Sequence, residues 1–267
     1  MSRSRSPVGW LLDRTTPLSG SGPSGLGLLL TTCSICFVVA SVITGGLFAV
    51  GSLTLRVDVL VGAGAVATLT LTVTAATVVR SVSAAGPQML TVATATTMVR
   101  AGCLIALGGF LAVDPNGGSG VWIPGAIYGL AIGLDGIDGQ LARRRDAVTD
   151  LGRRLDTEID AIAVLLGSVL VVVDGAAMLA FLLVGLARYA FVAGRWSRRL
   201  RGLPVYDLPE SRVRRPLAAG AMIAIWLALL PVPGQSGSVL VTTALLVPFV
   251  VSFVRDWLAV SGRRWRL

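Results

Sequence analysis

Along this chain, apolar runs of about twenty residues alternate with short polar, glycine- and proline-bearing turns. Twenty apolar residues are about what an α-helix needs to cross the hydrocarbon core of a bilayer. The first runs extend from Leu26 to Val50 and from Val57 to Val79, followed by runs near Met89–Val113, Val121–Leu141 and Gly152–Val173. The last three fall near Ala176–Gly194, Leu217–Leu230 and Val239–Trp257. No polar stretch between them is long enough to fold as a separate soluble domain. The pattern predicts an all-α, polytopic membrane bundle of about eight transmembrane helices.

The turns alternate in charge. Arg3, Arg5, Arg14, Arg80, the Arg143–Arg154 group, the Arg195–Arg215 group and Arg263, Arg264 and Arg266 fall on one side. The opposite turns carry Arg56 as their only arginine, with Asp58, Asp114 and Asp174. The positive-inside rule then predicts two cytoplasmic termini. The polar residues before Leu26 read as a cytoplasmic tail, not a cleaved signal peptide. Arg80 to Pro87 could form an interfacial helix in place of a plain loop.

Composition agrees with a membrane setting. Hydrophobic residues make up 54% of the 267, only 14% are charged, and mean hydropathy is +0.79. Soluble domains carry about 25% charged residues. The net charge of +9 comes from 23 basic residues, every one an arginine. Because the arginines border apolar runs, they point to membrane orientation, anionic lipid and phosphorylated substrates, and no nucleic-acid partner is expected. Cys33-x-x-Cys36 lies inside an apolar run with no second pair and no histidine in the chain, so it reads as two small hydrophobes.

Candidate chemistry is concentrated in one place. Seven of the fourteen acidic residues lie between Asp135 and Asp160. Residues three or four apart share a helix face, so Asp135, Asp138 and Ala142 line one side of the fourth run. Gly152, Asp156 and Asp160 line one side of the fifth, while Glu158 falls off that face. A short link lets the two helices pair antiparallel and bring four carboxylates together. An all-oxygen set without histidine or thiolate suits Mg²⁺, Mn²⁺ or Ca²⁺ better than zinc. Gly139 and Gly152 remove side chains where helices or a ligand approach, and Arg143 offers a forked guanidinium to phosphate. Together these features describe a diphosphate cradle.

The spacing D-x2-D-G-x2-A-R-x8-G-x3-D-x3-D resembles the signature of the CDP-alcohol phosphotransferase family, with agreement at all eight fixed positions. Pro87-Gln88-x2-Thr91, running on to Arg100, is similar to the start of that family's first core helix. The resemblance implies a six-helix core over residues 86–267, preceded over 1–85 by a tail and two added transmembrane helices. It implies two divalent ions, Mg²⁺ or Mn²⁺, one on Asp135, Asp138 and Asp156 and the other on Asp135, Asp156 and Asp160. It also implies a nucleotide pocket shaped by Gly139, Ala142, Arg143 and Gly152, with Asp160 as the general base. The expected reaction moves a phosphatidyl group from a CDP-alcohol such as CDP-diacylglycerol to an acceptor hydroxyl and releases CMP. This belongs to phospholipid biosynthesis in the plasma membrane, with the site on the cytoplasmic side. Homodimers are common in the family.

Outside the motif, Arg100 lies halfway along an apolar run and is expected to point into a polar cavity. Arg188 and Arg195 share a helical face and could bind the phosphate of an acceptor. Glycerol 3-phosphate, inositol phosphate, serine and phosphatidylglycerol all fit the motif as acceptors. Two other functions compete. A membrane prenyltransferase would use Asp156-x3-Asp160 but leaves Gly139, Ala142 and Arg143 unexplained. A cation-coupled transporter would favour carboxylates near the bilayer middle.

Overall fold

The computed structural model describes residues 25–49, 57–85, 91–112, 118–145, 149–208 and 211–262. Its helices are α1 (Gly25–Ala49), α2 (Val57–Ala85), α3 (Val92–Gly108), α4 (Ile123–Arg145), α5 (Asp150–Val173), α6 (Leu182–Leu200), α7 (Arg214–Ala228) and α8 (Gly234–Val260). Among the described residues there is no strand. Helices α1, α2, α6 and α8, together with α3 and its 3₁₀ extension, are long and apolar enough to cross a membrane. Carboxylates interrupt the apolar character of α4 and α5, and α7 has only 15 residues. The protein is a polytopic helical bundle.

Helix α3 is the hub, packing against α1, α2, α4 and α5, and α5 in turn contacts α6 and α7. In lipid, helix association depends on close packing more than on hydrophobic transfer, and the α1–α3 contact shows how that is met. Leu28, Thr32, Cys36 and Ala40, four residues apart, form the buried stripe of α1. Facing it, Gly102 of α3 leaves so little room that a Cβ there would sit 2.6 Å from the Cβ of Val39 and 2.9 Å from the Cys36 carbonyl oxygen. Cys36 Sγ lies 3.5 Å from Met98 Sδ, and all three cysteines are free thiols. Cys33-x-x-Cys36 thus takes part in helix packing.

Some boundaries differ from the sequence expectation. Helix α2 continues through Arg80 to Ala85 without a break, since a backbone hydrogen-bond ladder need not stop where apolarity does. Ala176 and Ala177 are apolar and buried but not helical. They follow the Asp174–Gly175 turn, and α6 begins at Leu182 after a single 3₁₀ turn. Helix α7 starts at Arg214, with Pro216 in its first turn, where a missing N–H costs nothing.

Candidate active site

The site forms where α3, α4 and α5 meet. Thr91 caps α3, its hydroxyl accepting from the Thr94 N–H at 3.2 Å, and Thr149 caps α5 by accepting from the Gly152 N–H at 3.1 Å. The residue matched to the start of the first core helix is therefore its N-cap, and such caps stabilise by about 1 kcal/mol. A Cβ at Gly152 would meet the hydroxyls of Thr149 and Thr94 at 3.1 and 3.3 Å. The missing side chain lets the first turn of α5 lie against α3.

One turn further in, Asp156 and Asp160 project from the same face of α5. Both are bonded by Arg100 of α3, which is 2% exposed. Its Nη1 donates to Asp156 Oδ1 at 2.6 Å, and its Nη2 donates to Asp160 Oδ1. On the other edge of the fork, Nε donates to the Ala131 carbonyl oxygen of α4 at 3.0 Å. A guanidinium inside an apolar bundle is costly unless its donors are satisfied. Here it binds three helices together, and the two carboxylates, 42% and 30% exposed, remain open on one side.

The sequence placed Arg100 facing a polar cavity, and the structure puts it against the carboxylates themselves. Asp135 and Asp138 lie on α4 one and two turns beyond Ala131, but their side chains are outside the described residues, as are those around Gly139, Ala142 and Arg143. The ring of Tyr128 lies against Gly167 of α5. Among the described residues no group of three metal-ligating side chains occurs. Asp156 and Asp160 converge on one cation, and their all-oxygen character fits a hard divalent ion.

Glu158 leaves α5 on another face and pairs with Arg188 of α6. Arg188 and Arg195 therefore differ: Arg188 is held by a carboxylate, whereas the buried Nε of Arg195 has no hydrogen-bond partner among the described residues. Farther out, Arg214 pairs in a two-pronged fashion with Asp256 of α8, at 2.9 and 3.2 Å.

One residue here escaped the sequence reading. Tyr128 is fully buried, its hydroxyl has no hydrogen-bond partner among the described residues, and it lies within electrostatic reach of Asp160 and Arg100. The available signal was the helical spacing of Tyr128, Ala131 and Asp135 on one face of α4.

The CDP-alcohol phosphatidyltransferase family model matches residues 85–254, well over half of the chain. The chain belongs to the CDP-alcohol phosphatidyltransferase family. The match begins where α2 ends and includes the whole acidic motif. No curated protein and no solved structure matches the chain. Membership makes this a member of a group of membrane transferases that move a phosphatidyl group from a CDP-alcohol and are generally dependent on divalent metal.

Proposed function

We propose that this CDP-alcohol phosphatidyltransferase moves a phosphatidyl group from CDP-diacylglycerol, or another CDP-alcohol, to the hydroxyl of a polar acceptor and releases CMP. The observation that carries the reading is the convergence of Asp156 and Asp160 on one cation at the α3–α4–α5 junction. Asp135, Asp138 and Asp156 would hold one divalent ion, and Asp135, Asp156 and Asp160 a second. When bound, such ions neutralise the charge that develops on a cleaving diphosphate.

The chain's own groups supply the rest. Gly139, Ala142, Arg143 and Gly152 shape the nucleotide pocket, with Arg143 forking onto phosphate oxygens. Asp160 takes the proton from the acceptor hydroxyl; the acceptor oxygen attacks the β-phosphorus, and CMP leaves. A carboxylate so placed is a weak base and works by proximity. Residues 86–267 form the catalytic core and 1–85 an addition to it. Arginines crowding the motif end of the bundle favour a site on the cytoplasmic side of the plasma membrane.

For the acceptor, the buried Nε of Arg195, without a partner among the described residues, favours a phosphorylated alcohol, because a buried donor left unsatisfied is costly. Arg188, already paired with Glu158, has less to offer. The test is CMP release by the purified protein from CDP-diacylglycerol, with Mg²⁺ or Mn²⁺, against a panel of acceptors. Release should require both the metal and one acceptor class. No release from any CDP-alcohol under any of these conditions would overturn the assignment, and prenyl transfer or cation transport would then need testing.

A further inference from the structure

Arg100 does something that the transfer reaction does not require. Two carboxylates one turn apart on α5 repel each other, and more strongly where the surroundings exclude water. The guanidinium spans both, one terminal nitrogen on each Oδ1, while its third bond holds the α4 backbone one turn before Asp135. Its planar fork fixes the spacing of those two oxygens in a way that a lysine ammonium could not. Arginine also stays charged at every accessible pH, so this cation cannot be removed by losing a proton.

We propose that Arg100 is a built-in counterion, which holds Asp156 and Asp160 together when no divalent ion is present and weakens the site's affinity for one. This rests on the metal-dependent reading given above. An ion approaching the two carboxylates finds one oxygen of each already engaged by an N–H donor, and it meets a fixed positive charge beside them. The guanidinium therefore has two opposed effects: it stabilises the metal-free bundle, and it makes metal binding reversible.

The experiment compares the full-length protein in detergent with Arg100→Met and Arg100→Lys. Mn²⁺ affinity would be read by electron paramagnetic resonance titration, and thermal unfolding would be followed in chelator and in Mn²⁺. Arg100→Met should bind Mn²⁺ about tenfold more tightly, the order expected for removing one unit charge near the ion. It should also unfold at a lower temperature than wild type in chelator and recover most of the difference in Mn²⁺. Arg100→Lys keeps the charge and loses the fork, so its affinity should fall between the other two. If Arg100→Met cannot be purified, an affinity for Arg100→Lys equal to that of wild type overturns the proposal. Wild-type Mn²⁺ binding that neither substitution tightens overturns it while leaving the metal reading intact. If wild type binds no Mn²⁺, and Asp156→Asn leaves the Mn²⁺ response unchanged, the metal reading fails and takes the proposal with it.

Discussion

Helices α1 and α3 are both apolar enough to span a bilayer, yet 22% of the apolar window of α1 is buried inside the protein against 78% for α3. Helix α1 offers a single stripe to the bundle and turns large side chains such as Leu26, Phe37 and Val42 outward. Helix α3 is enclosed by four neighbours, and only such a position can hold an arginine in mid-span. Hydropathy makes a helix fit for the membrane; enclosure makes it fit to carry a charge. Helices α1 and α3 thus use similarly apolar sequences for different ends.

The largest expected effect tests the enclosed side of this comparison. Asp160→Asn keeps an acceptor for Arg100 but removes the proposed base, so transfer should fall by roughly a hundred- to ten-thousand-fold with CDP-alcohol binding retained. CMP release and nucleotide binding, measured side by side, check this, and near-wild-type turnover would remove the base assignment. Next comes Leu104→Ala in α3, at a fully enclosed site, which should cost about 2–5 kcal/mol of stability by thermal or denaturant unfolding in detergent. Gly102→Val, which forces α1 away from α3, should cost about 1–3 kcal/mol in the same assay. A value near zero would mean that the hairpin is not seated as described. Leu30→Ala, on the outward face of α1, should change stability by less than about 0.5 kcal/mol. Equal losses for Leu30→Ala and Leu104→Ala would erase the distinction between the two helices.

Much of the fold could be read from the chain because it rests on local periodicity. Spans of apolar residues and the spacing of Asp156 and Asp160 place elements and faces without any knowledge of partners. Boundaries were less legible. Arg80 looked like an end although α2 runs through it, and Ala176 and Ala177 looked helical although they complete a turn, because apolarity does not distinguish a buried helix from a buried connection. The tertiary structure alone decided that Arg100 reaches residues 56 and 60 positions away, that Glu158 occupies Arg188, and that Tyr128 lies within electrostatic reach of Asp160.

The sequence by itself therefore determined that this is a helical membrane protein and which aspartates share a helix face, because both follow from the rise and period of one helix. Which cation those aspartates face was decided only by packing. That depends on how α3, α4 and α5 rotate against one another, and contacts between distant segments set that rotation.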